Sequence, residues 1–142
     1  MMGATRYLSV AIAIVLAGIF IYAGVDKLRD PLQFADSVAA FRILPSVLVT
    51  PMALGLPIFE VVTAVMLLAP PSRRIGAFAV TVLTVMFLVA LFSALARGLT
   101  LDCGCFGAGA PSRPRMWAES GLDIVLLGSA LFLYTRYRRA AD

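Results

Sequence analysis

The chain has 142 residues, 61% of them hydrophobic and 14% charged, with a mean hydropathy of +0.96. A soluble domain of this size carries roughly a quarter charged residues, so lipid is the main solvent here, and a disordered tail, a soluble enzyme and an ordinary secreted domain are excluded. The formal charge of +4 sits in short basic clusters between apolar runs, a pattern of membrane flanks and not of nucleic-acid binding, and with no histidine present imidazole is ruled out as a base or metal ligand.

Residues 7–25 form an uncharged run of 19, long enough to cross about 30 Å of hydrocarbon as a helix. It is longer than the apolar region of a signal peptide and leads into Asp26-Lys27 instead of a small-residue cleavage site, so it is read as a retained span. Next, Asp30 can cap a short helix over residues 31–43, with Pro31 in its first turn and Phe34, Val38 and Phe41 at i, i+4 and i+7. This helix is expected to lie at the membrane surface, closing the bundle's outer end or serving as a docking lid. Residues 47–69 make a second span with one charge, Glu60, and residues 75–96 a third with none. The fourth, 116–135, carries Glu119 and Asp123 near its start and spans only if both face protein. No internal repeat or second domain breaks the chain. The expected fold is an all-α integral membrane protein, a four-helix transmembrane bundle with a short amphipathic interfacial helix, forming one domain over residues 1–142.

Four spans put both termini on one side. Lysines and arginines divide six to six between the two sides, so their count does not orient the chain. The dense clusters Arg73-Arg74 and Arg136 to Arg139 directly abut helix ends, while the opposite loops are longer and also hold acids. This favours cytoplasmic termini.

Within the membrane, Glu60 lies 13 residues into its span, about 20 Å from the outer end. An ionised acid at that depth costs about 2.5–3.5 kcal/mol, and no cation of the other spans is expected level with it. It should therefore be protonated or hydrogen-bonded to a hydroxyl, with Thr84 at the matching depth; a proton relay or a quinone contact is the functional alternative. Glu119 and Asp123 share a helix face, and Lys27 is expected to pair with one of them, locking the first and fourth helices. Either acid could also take a proton from a thiol. Trp117, Tyr7, Tyr22, Tyr134 and Tyr137 are placed as interfacial anchors, and Gly18, Gly24, Gly76 and Gly128 as points of close helix approach.

The chemistry-bearing feature is Asp102-Cys103-Gly104-Cys105-Phe106, just past the third span. Two thiols one residue apart can close a disulfide over a very small ring, and Gly104 supplies the backbone freedom this requires. As a staple the ring is weak, contributing about 1.6 kcal/mol against about 3 for a 15-residue loop. A strained, exposed disulfide exchanges readily with another dithiol. Two other readings stand beside exchange: a boundary turn whose cysteines serve only the fold, and metal handling. Two sulfurs and Asp102 form an incomplete zinc set unless a second chain contributes or copper(I) accepts the thiolates, so no metal is assigned.

Three stretches together give the chain a family likeness. Tyr22-Ala23-Gly24-Val25-Asp26-Lys27-Leu28-Arg29-Asp30-Pro31, Phe41-Arg42-Ile43-Leu44-Pro45 and the block from Asp102 to Gly107, set among four spans, resemble the MauE branch of the DoxX-like membrane proteins. The resemblance implies a bacterial plasma (inner) membrane protein tied to methylamine utilisation, which helps a thioredoxin-like extracytoplasmic partner handle the disulfides of a periplasmic dehydrogenase subunit. It maps the family's cysteine motif onto Cys103 and Cys105.

The reading is thus a membrane-embedded thiol-disulfide oxidoreductase with an extracytoplasmic cysteine loop. Cys103 and Cys105 exchange, supported by Asp102, Gly104, Phe106, Lys27, Glu60, Glu119 and Asp123. Quinone is the one cofactor entertained, without a residue pattern to seat it. The alternatives are a non-catalytic membrane subunit or scaffold of an oxidoreductase complex, and a metal-handling membrane protein.

Overall fold

The computed structural model describes residues 2–101 and 110–140. Five α-helices account for most of them: α1 (Met2–Arg29), α2 (Pro31–Ala40), α3 (Ser46–Leu68), α4 (Arg73–Ala96) and α5 (Arg113–Arg139), with a short 3-10 turn, Pro70–Ser72, between α3 and α4. No strand occurs among the described residues. Helices α1, α3, α4 and α5 are each long and apolar enough to cross a membrane. Together with their exposed large apolar side chains, such as Ile14, Ile58, Val89 and Val125, they make this a multi-pass membrane protein. Such a surface suits lipid, where every backbone polar group must find its partner within the helix.

The helices outrun the uncharged segments. Helix α1 continues through Asp26, Lys27 and Arg29, and α5 begins at Arg113, ahead of the apolar stretch. The extra turns carry Lys27 and Arg115, the two cations that meet acids of the interior. Helix α1 packs on α3, α4 on α5 and α3 on α4, while α2 lies mainly against α3. The core is built from small and branched residues facing inward, including Leu16, Ala64, Leu67, Val80, Ala130 and Leu133.

Asp30 caps α2 as expected: its carboxylate accepts from the Gln33 amide at 3.0 Å, and Pro31 occupies the first turn. The helix stops at Ala40, short of residue 43, because Arg42 takes a positive φ of 51°. Phe34 is the residue it buries. Asp30→Ala should lower the stability of the detergent-solubilised protein by about 1 kcal/mol, read in a denaturant titration; no loss would mean that packing of Phe34 alone fixes this helix.

Of the four glycines expected at helix contacts, two serve there. A Cβ on Gly24 would lie 2.8 Å from Val61 Cγ2 and 2.9 Å from the Pro57 carbonyl oxygen, and one on Gly76 would lie 2.5 Å from the Leu67 amide nitrogen. Gly18 and Gly128 meet nothing within 4 Å, so they face outward and not a neighbouring helix. The aromatic anchors divide in the same way. Tyr7, Tyr22 and Trp117 are exposed, whereas Tyr134 and Tyr137 pack against the core.

Candidate functional site: a buried ion pair in the helix bundle

Gly24 is the starting point of the interior site. Without a side chain there, α1 approaches α3 at the level of Pro57 and Val61. Three residues on, along the same helix face, Lys27 points into the bundle. Its ammonium donates to both carboxylate oxygens of Glu60, at 2.8 and 2.9 Å, and the two side chains are 2% and 1% exposed. The rings of Phe34 and Phe87 stand 5.4 and 5.1 Å from Lys27 Nζ. Both are within cation–π range, so α1, α2, α3 and α4 each contribute a wall of this charge site.

This overturns two expectations. Glu60 has a cationic partner, and the Thr84 hydroxyl donates instead to the Val80 carbonyl of its own helix. Lys27 is taken by Glu60 and joins α1 to α3, not α1 to α5. Glu119 is held by Arg115 one turn earlier, through Arg115 Nε at 3.1 Å. The physical reason is an offset between the helices. Flush outer ends would set Gly24 opposite residue 48, but it meets residues 57–61, about 16 Å further along α3 at 1.5 Å per residue. The outer part of α3 is packed by α2 instead. With α1 displaced in this way, the four-carbon stem of Lys27 reaches a level that counting from the ends of the apolar runs assigned to Glu60 alone.

Asp123 is also buried, within electrostatic range of both Lys27 and Glu119. Glu119 Oε2 is buried without a hydrogen-bond partner among the described residues. The interior therefore concentrates three acids from α3 and α5 around Lys27 and Arg115. Beside them opens an apolar recess of about 180 Å³, walled by Phe34, Val38, Phe41, Met52, Leu56 and Phe87 among others. This arrangement can hold and orient charge. No cluster of three or more His, Cys, Asp or Glu that could hold a metal ion occurs among the described residues.

Cys103 and Cys105, with Asp102, Gly104 and Phe106, lie outside the described residues. The flanks of that segment are firmly built. Helix α4 closes with a Schellman motif: Gly98 has φ +71°, its amide donates to the Leu95 carbonyl, and the Leu99 amide donates to Ala94. A glycine suits this position because the left-handed backbone carries a steric cost for other residues. The Leu101 amide then meets Met116 Sδ at 3.4 Å, and Leu99, Leu101 and Phe41 pack on a small cluster of Leu91, Ala94, Leu95 and Met116. On the far side, Ser112 caps α5 by accepting from the Arg115 amide. Arg97 ties the end of α4 to the carbonyls of Phe41 and Arg42. At the opposite end of the bundle, Arg136 donates to Thr5 and brings the two terminal helices together.

The family model for the methylamine utilisation protein MauE matches residues 5–136. The chain is similar to the methylamine utilization protein MauE of Paracoccus denitrificans, at 36% identity over 126 residues that cover 88% of this chain and 67% of that one. Its likeness to the protein of the same name from Methylophilus methylotrophus is 35% over 126 residues, covering 88% and 62%. With that of Methylorubrum extorquens it is 36% over 116 residues, covering 78% and 62%. The chain thus spans about two thirds of the length of the curated relatives it matches. No solved structure gives a significant match.

Proposed function

Because this chain belongs to the methylamine utilisation protein MauE family, we propose that it serves methylamine utilisation as a membrane-embedded thiol-disulfide exchanger acting through Cys103 and Cys105. The supporting observation is the framing of the cysteine segment. The backbone enters it from Leu101, held by Met116 and the Schellman motif, and leaves it into the Ser112 cap, at the end of the bundle away from the joined terminal helices. A soluble partner needs access from this end of the bundle, where both flanks of the segment lie.

The partner is a thioredoxin-like extracytoplasmic protein, and the chain ends face the cytoplasm. In the exchange, a thiolate of the pair attacks one sulfur of the partner's disulfide, and the other partner sulfur leaves as a thiolate and takes up a proton. The second cysteine, after losing its proton, attacks the mixed disulfide. The partner departs as a dithiol and the pair is left as a disulfide, two electrons having passed to the partner; the reverse sequence oxidises the partner. Asp102, Glu119 and Asp123 are the carboxylates assigned to the protons these steps release and consume. Lys27 and Glu60 hold the helices beneath.

Trapping tests this. In membranes that contain the partner, Cys103→Ser or Cys105→Ser should leave the remaining thiol in a reductant-sensitive adduct with a thioredoxin-fold protein, and the doubly substituted chain should give none. A membrane-impermeant maleimide should label the reduced pair from the extracytoplasmic side. Absence of an adduct from both single variants would instead make the protein a scaffold.

A further inference from the structure

The end of the bundle that carries the joined terminal helices has chemistry that disulfide exchange does not use. Arg73 at the start of α4, Arg136 and Arg139 at the end of α5 and Arg6 on α1 line one recess of about 450 Å³, together with the Ser9 and Tyr137 side chains. A neighbouring recess of about 510 Å³ shares Arg73 and Tyr137 and adds Arg74 and Ile75. No described aspartate or glutamate lines either one.

Two donors point to an absent acceptor. Arg73 Nε and the Tyr137 hydroxyl are buried, and neither has a hydrogen-bond partner among the described residues. They belong to side chains that line both recesses and that interact electrostatically with each other. A buried guanidinium N–H and a buried phenol left unsatisfied are unfavourable, and native structures normally satisfy such groups with protein, water or ligand. Basic residues at the end of α5 are partly accounted for by the helix dipole. Arg73 is not, because it opens α4, where the dipole disfavours a cation. An anion seated here would resolve both anomalies, accepting from Arg73 Nε and Tyr137 and drawing the first turn of α4 and the arginines of α1 and α5 together.

We propose that this recess binds a phosphate group, presented by the headgroup of an anionic phospholipid. Arginine forks match phosphate oxygens in geometry as well as charge. The lipid source follows from the surroundings. Ile75, 59% exposed, lines the neighbouring recess that shares Arg73 and Tyr137, and Phe78, one turn further along α4, is 54% exposed on the flank of the bundle. A ligand with its phosphate among the arginines and acyl chains along α4 satisfies both surfaces. Basic pockets between membrane helices recognise acidic headgroups in this manner.

The test uses the full chain in nanodiscs, with its thermal midpoint followed by the fluorescence of its one tryptophan, Trp117. Discs of phosphatidylcholine alone, phosphatidylcholine with phosphatidylglycerol, and phosphatidylcholine with added inorganic phosphate form the three arms. Phosphatidylglycerol should raise the midpoint by a few degrees and inorganic phosphate should not. An equal rise with inorganic phosphate would keep the phosphate site and overturn its lipid source. The rise should vanish in Arg73→Gln/Arg136→Gln and persist in Arg138→Gln, a single-charge control outside both recesses. Loss of the rise in Arg138→Gln as well would reduce the effect to general surface charge and overturn the proposal, as would no preference for phosphatidylglycerol in the unsubstituted chain. Should the double variant fail to fold, Tyr137→Phe removes only the hydroxyl; it should diminish the rise, and an undiminished rise overturns the site.

Discussion

Lys27→Met is expected to destabilise the protein by about 3–5 kcal/mol, because it strands Glu60 as a buried charge without its partner. Asp123 makes the loss worse, since it lies within electrostatic range of the same ammonium and Lys27 is the cation that α1 brings to that interior. Glu60→Gln should cost less. The amide oxygen still accepts from Lys27, and Asp123 remains as a counter-charge. The double substitution Lys27→Met/Glu60→Leu should recover most of the stability lost in Lys27→Met, since well-packed apolar residues commonly replace a buried pair at little cost. A denaturant titration in detergent micelles of the unsubstituted chain, Lys27→Met, Glu60→Leu and Lys27→Met/Glu60→Leu, run as a double-mutant cycle, reads the coupling. If the two single losses simply add in the double variant, the pair is not coupled and the geometry of the site is wrong.

Gly76→Ala is the second large effect, and it comes from backbone and not charge. The added methyl would sit 2.5 Å from the Leu67 amide nitrogen and 2.8 Å from Leu67 Cα. These are main-chain atoms of α3, so no side-chain rotation relieves the clash; the last turn of α3 must move away from α4. Overpacking of this kind costs about 1–3 kcal/mol, and the short Pro70–Ser72 turn between the helices leaves little slack to absorb it. Gly18→Ala and Gly128→Ala are the controls. With nothing within 4 Å of either position, they should be neutral or stabilising by up to about 1 kcal/mol through helix propensity. Thermal midpoints of the three variants decide this, and a Gly76→Ala midpoint equal to the controls would refute the close approach.

The spans were legible in the sequence because lipid demands length and leaves a clear trace: runs of 19 to 23 residues with at most two charges. The cap at Asp30 was equally plain, since aspartate followed by proline is a local signal. What stayed hidden was register. Nothing in the apolar runs says that α1 meets α3 about four turns in from the outer end, because that offset follows from α2 folding back along α3. The pairing of Lys27 with Glu60 therefore escaped a reading that counted depth from the run ends. Gly24, three residues before Lys27, was the one local hint, and it becomes informative only once its neighbour is known to be Pro57 and not the start of α3. The glycines show the same limit. All four have the composition of a contact, yet only Gly24 and Gly76 have a partner.

The salt link between α1 and α3 also bears on how the chain is made. Its cation precedes its anion by 33 residues, so α1 is synthesised first and α3 emerges bearing an acid that the hydrocarbon alone resists by about 2.5–3.5 kcal/mol. Partitioning of α3 into the bilayer is eased when α1 is still beside the translocation pore to neutralise it. Biogenesis of this small protein is then a joint event of two hairpin-forming segments, with the earlier helix acting as an internal chaperone for the later one.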